Sequence, residues 1–361
     1  MTQTPTRAST SVGHRVDLAI LGVRVDAQVT RRAGAGPSDD GHVLLGGHGA
    51  ALPLNPDSPY SISGGRLLLD GADLGLEATP IDRPRFYDLT TADGVPYEKL
   101  ARLHGKDVLA TTVVQTCIRY DEADRCRFCA IEASLAAGST TAVKTPAQLA
   151  EVAEAAVRLD GVRQMVMTTG TTNGRDRGAR HLARCVRAIT AAVPGLPIQV
   201  QCEPPAPEDL DAITELKEAG ATAIGIHVES LDDAVRARWM PGKASVPMSQ
   251  YRAAWAEAVR VFGRNRVSTY LLVGLGEDPD ELVAGALELA EAGVYPFVVP
   301  YRPLAGTLAV ADGVGAPDPQ LLGDVTERVA AGLRRLGMRG ADQGAGCAAC
   351  GACSALQSAG A

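Results

Sequence analysis

The sequence predicts an α/β fold, a partial (βα)6 TIM-type barrel with an N-terminal extension and a Cys-rich C-terminal tail. Two observations predict it: the order of strands and helices, and the polar residues at the strand ends. From residue 108 onward, apolar runs typical of strands buried on both faces alternate with amphipathic helical segments. This alternation implies a parallel sheet with right-handed crossovers. The six runs are VLATTVVQT, QMVMTTG, IQVQCE, AIGIHVE, RVSTYLLVG and VYPFVVPYRP.

The helices between these strands carry start and stop signals. In TPAQLAEVAEAAVRLDG, Thr145 and Gln148 match a capping box, and Pro146 fits the first helical position. Gly161 supplies the left-handed stop. The apolar residues of RHLARCVRAITAAV fall on one helical stripe. Each helix is therefore expected to bury one face against the sheet.

At the ends of two predicted strands, polar residues occupy every second position. They are Gln199, Gln201 and Glu203 in IQVQCE, and His227 and Glu229 in GIHVE. Residues of one parity point to one side of a strand, so these side chains are expected to face the mouth of a barrel, where such folds place their chemistry. An open doubly wound sheet, which binds ligands at the same strand ends, is the alternative.

Composition narrows the class of protein. The 361 residues are 46% hydrophobic and 21% charged, which is typical of a soluble globular chain. The net charge of −7 argues against a nucleic-acid binder that relies on positive charge. No apolar run of about 18 residues predicts a membrane helix, and the first residues lack the apolar core of a signal peptide. We therefore expect a cytoplasmic protein that binds neither nucleic acid nor membrane.

Three segments are predicted along the chain. Residues 1–107 form an N-terminal extension that packs on the barrel, and within it GGRLLLDGADLG predicts a short hairpin. Residues 108–336 form the barrel, and residues 337–361 form the Cys-rich tail.

Six of the eight cysteines fall into two groups. Cys117, Cys126 and Cys129 follow the first barrel strand directly, so their thiols are expected on a loop at the mouth of the barrel. Clustered thiols in a reducing compartment indicate metal or iron–sulfur ligation rather than disulfides. Three ligands leave one metal corner open for substrate or cofactor. A structural zinc loop is the alternative, although no fourth local ligand is evident.

This loop resembles the cysteine loop of the radical S-adenosylmethionine (SAM) superfamily, in which an aromatic residue precedes the last cysteine. Phe128 takes that position, while the eight residues between Cys117 and Cys126 exceed the common spacing. The resemblance implies a [4Fe–4S] cluster on which SAM is cleaved to a 5′-deoxyadenosyl radical that abstracts hydrogen. Within the superfamily the sequence is similar to the biotin synthase and lipoyl synthase branch, and to an uncharacterised actinobacterial subfamily linked to nitrilase gene clusters.

Other segments match the same superfamily in order along the barrel. MTTGTTNG, GIHVESLDDAVRARW, STYLLVGLGED and VVPYRPLAGT resemble its second, fourth, fifth and sixth strand motifs. Their implied role is to hold the amino acid, ribose and adenine parts of SAM. The residues at the matching cofactor positions are Phe128, Thr168, Thr169, Gly170, Glu229, Arg238 (or Arg236), Gly274 and Gly276.

The second cysteine group is Cys347, Cys350 and Cys353. Thiols at every third residue can wrap one cluster, which favours an auxiliary iron–sulfur cluster. A frayed tail without a function is one alternative. A zinc site built from Cys126, Cys129, Cys350 and Cys353 is another.

The expected substrate is a small molecule, with Gln201, Glu203 and His227 as candidate contacts. Sulfur insertion, oxidation and rearrangement all remain open, and a flavodoxin- or ferredoxin-like electron donor is implied. Arg119, Arg125 and Arg127 are expected on a solvated loop face, and Cys185 and Cys202 in the core.

Two different classes of protein remain as alternatives. One is a non-catalytic zinc or iron–sulfur protein with a structural or redox-sensing role. The other is an aldolase- or synthase-type barrel, which is disfavoured because no lysine appears at a strand end.

Overall fold

The computed structural model describes residues 11–25 and 42–359. Its N-terminal unit is a six-stranded sheet beside helix α1 (Ser11–Leu21). The strands are β1 (Arg24–Val25), β2 (His42–Leu45), β3 (His48–Ala51), β4 (Tyr60–Ser63), β5 (Arg66–Leu69) and β6 (Ala72–Pro80), in the order β1-β4-β5-β6-β2-β3. β5 and β6 pair antiparallel, which confirms the predicted hairpin. Leu18, Tyr60 and Leu67 lie in a core that belongs to this unit.

The larger sheet forms the predicted partial barrel. Its strands are β7 (Arg102–His104), β8 (Val108–Thr112), β9 (Gln164–Thr168), β10 (Ile198–Gln201), β11 (Ala223–Gly225), β12 (Val267–Val273) and β13 (Val294–Pro300). They pair in a linear order from β13 to β7. β8 to β13 are parallel, and β7 adds an antiparallel edge strand from within the segment predicted as the extension. The (βα)6 prediction is confirmed.

Helices connect the parallel strands. They are α2 (Ile131–Ala136), α3 (Pro146–Asp160), α4 (Ala179–Ala192), α5 (Asp211–Glu218), α6 (Asp233–Trp239), α7 (Pro241–Ala244), α8 (Met248–Phe262), α9 (Pro279–Glu291), α10 (Leu308–Ala311), α11 (Pro319–Arg335), α12 (Cys347–Cys350) and α13 (Leu356–Ala359). The predicted capping box of α3 is present, and Gly161 ends that helix at φ +66°. None of the helices described is long and apolar enough to cross a membrane.

Strand parity separates the helix-facing side of the sheet from the barrel interior. Ile198, Val200 and Cys202 belong to the core that packs against the helices. Gln199 and Gln201 alternate with them and point inward, where they bond to each other and to the C-terminal tail. The core assignment of Cys185 is also confirmed, because it is fully buried in the apolar stripe of α4.

Candidate active site

The first cysteine group lies on the loop after β8, at the carboxyl end of the parallel strands. The loop is tied to the one after β9, because the Ile118 N–H donates to the Thr171 carbonyl at 2.9 Å. Within it, the Cys129 N–H donates to the Cys126 carbonyl at 2.9 Å. The Cys129 thiol lies close enough to Cys117 and to Cys126 to interact electrostatically with both. The structure thus brings the three thiols to one end of the barrel.

Burial sets the protonation state of two of these thiols. It raises the pKa of Cys129 to about 11 and holds the pKa of Cys126 well above its usual range, although the nearby Lys243 ammonium opposes both shifts. The two side chains are therefore neutral thiols at pH 7. They become thiolate ligands when bound iron supplies the compensating positive charge.

The three thiols of this group suit an iron–sulfur cluster better than a single metal ion. Zinc holds each sulfur at about 2.3 Å, so its ligands must converge on one point. Across residues 11–25 and 42–359, no group of three or more His, Cys, Asp or Glu side chains is arranged to hold one metal ion. A [4Fe–4S] cluster requires a wider spacing, because each thiolate binds a different iron. Three soft sulfur ligands on one loop are the type of donor that such a cluster takes.

An ion pair that the sequence did not reveal lies beside this group. Lys243, on the short helix α7, is 3.0 Å from the Glu229 carboxylate, and the two side chains are only 11% and 12% exposed. Lys243 also donates to the His227 carbonyl at 2.7 Å. Burial disfavours its ammonium, but the charges around it, led by that of Glu229, outweigh burial and raise the pKa of Lys243. The sequence shows no lysine at a strand end, and this one reaches the site from a helix.

Glu229 itself has an unusual backbone. Its φ of +68° lies in the left-handed region, which costs a non-glycine residue about 1–3 kcal/mol. Two backbone bonds hold it there: its N–H donates to the Tyr270 carbonyl and its carbonyl accepts from Leu272. Strain of this kind is commonly kept where a side chain must point in a particular direction.

A second ion pair joins the cysteine loop to β10. Arg119 binds both oxygens of Glu203 at 3.2 Å, and the Thr171 hydroxyl donates to the same carboxylate at 2.8 Å. The Arg119 side chain is 12% exposed, so its predicted place on a solvated loop face was wrong. Glu203, expected as a substrate contact, has both oxygens engaged by these partners.

The other two loop arginines have local partners. Arg125 lies over the Tyr120 ring, and Arg127 pairs with Asp312.

The predicted cofactor segments lie around the same mouth. Thr168 ends β9 and shares a hydrogen bond of 2.9 Å with Thr112, and the Thr169 hydroxyl donates to the Gly170 carbonyl. A Cβ at Gly170 would lie 2.0 Å from the Thr116 carbonyl oxygen, so only glycine fits beside the start of the cysteine loop. Gly274 has a φ of +107° after β12, where its N–H donates to Glu277 at 2.7 Å.

Phe128 and one of the two candidate arginines, Arg238, lie beside Trp239. The ring centroids of Phe128 and Trp239 are 6.5 Å apart. Arg238 is exposed, and its guanidinium lies over the Trp239 ring. Arg236 is 2% exposed and binds Asp233 and the Val246 carbonyl, which is a structural role. Lys243, rather than either arginine, is the cation beside Glu229.

Below the mouth, His227 lies inside the barrel. Its Nδ1 accepts the Tyr270 N–H at 3.2 Å, which leaves the proton on Nε2. Nε2 has no hydrogen-bond partner among the residues described. The ring occupies the space that a side chain at residue 225 would need, because a Cβ on Gly225 would lie 2.6 Å from it. Burial lowers the pKa of His227 to about 3, so the ring is neutral.

The second cysteine group belongs to the opposite end of the barrel. The Gly346 N–H donates to Gln164 at the start of β9 at 2.8 Å, and the Cys347 N–H donates to Gln199 at 3.1 Å. A Cβ at Gly346 would lie 1.9 Å from the Gln199 Oε1 atom. The tail is therefore packed into the barrel and is not frayed.

The zinc site that would join the two cysteine groups was also wrong. Cys126 is surrounded by Lys243, Cys129 and the two mouth carboxylates, whereas Cys350 has Cys347, Cys353 and Asp107 as its neighbours.

The comparison with known families identifies the central part of the barrel. Residues 123–290 match the family model described as the Radical SAM superfamily. This segment is therefore a radical SAM domain, and such a domain implies a [4Fe–4S] cluster and SAM. Cys126 and Cys129 lie inside the matched segment, and Cys117 precedes it.

Solved structures align with part of this chain. Methylornithine synthase (PylB) aligns with a TM-score of 0.45 and 15% identity over 62% of each chain. The FeFe-hydrogenase maturase HydG from Carboxydothermus hydrogenoformans aligns with a TM-score of 0.47 and 18% identity, over 65% of this chain and 53% of HydG. The alignment thus spans less than two thirds of PylB and about half of HydG. No curated protein sequence matches the chain.

Proposed function

We propose that Cys117, Cys126 and Cys129 hold a [4Fe–4S] cluster, on which SAM yields a 5′-deoxyadenosyl radical for hydrogen abstraction from a small molecule. One observation carries the proposal. The superfamily match includes two of these cysteines, and all three thiols lie at the carboxyl end of the parallel strands, where barrels place their chemistry.

The chain's own residues would bind and orient SAM around that cluster. By the superfamily resemblance, Glu229 holds the ribose, and Thr168, Thr169, Gly170, Gly274 and Gly276 present backbone and hydroxyl groups to the rest of the molecule. Phe128 and Arg238 are the remaining cofactor positions. Lys243 is added as a positioning residue, because its ion pair fixes the Glu229 carboxylate in a strained backbone conformation.

The second group, Cys347, Cys350 and Cys353, is proposed to hold an auxiliary iron–sulfur cluster. Three thiols within one short turn of chain, anchored to the barrel by buried glutamines, support a dedicated site. Such a cluster suits sulfur insertion as well as oxidation or rearrangement of the substrate. A flavodoxin- or ferredoxin-like protein is proposed to supply the electron.

Anaerobic reconstitution tests both sites together. The wild-type chain is loaded with iron and sulfide, and iron, sulfide and 5′-deoxyadenosine are measured with a chemical reductant. Cys126→Ala is expected to abolish SAM cleavage and to lose the iron of one cluster, about four atoms. Cys350→Ala is expected to lose the iron of the tail site and to keep SAM cleavage.

Cys185→Ala, in the helix stripe away from both groups, is the matched control and should change neither measurement. A colourless, zinc-loaded wild-type protein would contradict the proposal, as would cleavage that persists in Cys126→Ala.

A further inference from the structure

The eight residues between Cys117 and Cys126 form a compact turn. The Tyr120 N–H donates to the Cys117 carbonyl at 3.0 Å, and the Arg125 N–H donates to the Asp121 carbonyl at 3.0 Å. The Asp121 carboxylate in turn accepts the Asp124 N–H at 2.8 Å. Because the turn is held by its own hydrogen bonds, its outer carbonyls keep fixed directions.

This turn packs directly on the short helix α7. The Gly242 N–H donates to the Asp124 carbonyl at 2.9 Å. A Cβ at Gly242 would lie 2.6 Å from that carbonyl oxygen and 3.3 Å from the Arg119 Cβ atom. The contact therefore requires glycine and leaves no free space between the cysteine loop and α7.

Arg119 fastens the end of α7 to the same turn. Its guanidinium donates to the Gly242 carbonyl and, at 3.2 Å, to the Ser245 hydroxyl. That hydroxyl also donates to the Gly242 carbonyl at 2.7 Å. The rest of the guanidinium binds Glu203. One largely buried side chain thus links the cysteine loop, the segment after β10 and α7.

Helix α7 carries Lys243 directly after Gly242. The Lys243 ammonium is 3.0 Å from the Glu229 carboxylate, and its backbone carbonyl accepts from Arg236 on α6 at 3.3 Å. A helix of four residues is too short to be stable alone, so its position depends on contacts of this kind. The cysteine loop supplies those contacts on one side of Lys243, and α6 supplies them on the other.

We propose that residues 118–125 act as a brace that positions Lys243, and through it the Glu229 carboxylate, for binding SAM. Arg119 and Gly242 are the positioning residues. The proposal rests on the proposed function for the role of Glu229 toward SAM. Movement of α7 away from the loop would separate the ammonium from Glu229, and the attraction between two charges falls with distance. The additional loop residues thus serve the cofactor, while the cysteines serve the iron.

Gly242→Ala tests whether the loop holds α7. Within a helix, alanine is favoured over glycine wherever its Cβ has space, so a variant without the contact would make α7 more stable. The Cβ instead meets the Asp124 carbonyl. We expect hydrogen exchange in a peptide covering residues 239–246 of the metal-free, full-length protein to become at least about tenfold faster. Gly315→Ala, with open space around it, is the matched control and should leave that exchange unchanged.

Cofactor binding separates positioning from a merely structural role. S-adenosylhomocysteine, which keeps the ribose of SAM and is not cleaved to a radical, is titrated into the cluster-loaded protein. The rate of 5′-deoxyadenosine formation is measured against SAM concentration. We expect Gly242→Ala to raise the dissociation constant and KM at least about fivefold, with iron content and kcat within about twofold of wild type. A structural defect alone would lower the iron content and the apparent kcat and leave KM unchanged.

Arg119→Lys is the second variant, for use if Gly242→Ala does not fold. A lysine can reach Glu203 but cannot also bind Gly242 and Ser245, because it lacks the forked guanidinium. We expect faster exchange in residues 239–246 and a higher KM in this variant as well.

Three outcomes would overturn the proposal. One is exchange in residues 239–246 that is the same as in wild type, which would mean that the loop does not hold α7. Another is faster exchange with an unchanged dissociation constant, which would mean that SAM does not sense the position of α7. The third is a loss of iron as large as the loss of cofactor binding, which would locate the effect at the cysteines.

Failure of the proposed function gives a different result. In that case the wild-type chain itself neither loads iron nor cleaves SAM. The exchange measurement needs neither metal nor SAM, so it still decides whether the loop braces α7.

Discussion

Each end of the barrel holds a group of three cysteines, but the side chains around the two groups differ in chemistry. At the mouth, two buried ion pairs, Arg119–Glu203 and Lys243–Glu229, surround the cysteine loop. At the other end, neutral amides from Gln164, Gln199 and Gln201 hold the tail. Buried charges are costly to arrange and act strongly on charged ligands, whereas amides mainly fix position. The difference suits a charged cofactor at the mouth.

The largest effect is expected from breaking the charged end. Lys243→Met leaves the Glu229 carboxylate buried without its partner, which should lower the free energy of unfolding by about 3–5 kcal/mol. SAM cleavage should fall in the same variant. Urea denaturation and the yield of 5′-deoxyadenosine measure the two effects.

The double variant Lys243→Met/Glu229→Leu separates stability from function. It removes the orphaned charge and should regain most of the lost stability, but not the cleavage. Recovery of both would show that the pair has no role toward SAM.

At the tail end of the barrel, we expect stability and iron content to depend on steric fit and not on charge. Gly346→Ala places a Cβ 1.9 Å from the Gln199 Oε1 atom at a φ of +85°, so the tail must shift. We expect a loss of about 1–3 kcal/mol in stability and of the tail-site iron, with iron retained at the mouth. Gly313→Ala, at a φ of +76° with open space around it, is the matched control for the backbone effect alone. Equal iron loss in both variants would contradict the role of Gln199.

Between the two ends, His227 predicts a pH effect on stability. Its folded pKa of about 3 lies below the ordinary value of 6.5, so the unfolded chain binds a proton that the folded chain does not. Its stabilising contribution is therefore complete above pH 6.5 and is lost as the pH falls toward 3, at a slope of about 1 kcal/mol per pH unit. His227→Gln should remove that slope, as measured by urea midpoints between about pH 5 and 6.5. Parallel profiles for the two proteins would show that the ring is charged when folded.

The smallest effect is expected from the geometry of the second ion pair at the mouth. Arg119→Lys keeps the positive charge but loses the two-pronged contact with Glu203, which should cost about 1 kcal/mol. Arg127 is partly exposed and pairs with Asp312 near the surface, so Arg127→Lys should change the urea midpoint far less. A similar loss in both variants would mean that burial of the Arg119 pair adds nothing.

Local signals allowed much of the barrel to be predicted. The capping box at Thr145 and the parity of Gln201 and Cys202 depend on residues close in sequence, and both are as expected. Lys243 was missed because only the packing of α7 brings it to Glu229. No periodic pattern in the sequence links the two residues. A lone lysine in the short segment Pro-Gly-Lys-Ala was the available signal. The contact of Gln201 with Cys347 spans 146 positions of sequence and could not be read from either segment.

The hydrogen bond between Ala51 and Ala352 joins strand β3 of the N-terminal unit to the cysteine tail. A ribosome that has completed the strands up to β13 has already made every residue of the cysteine loop and its ion pairs. The three tail cysteines follow β13 and are made after all of these residues. The residues of the proposed mouth site can therefore fold together before those of the proposed second site have been made.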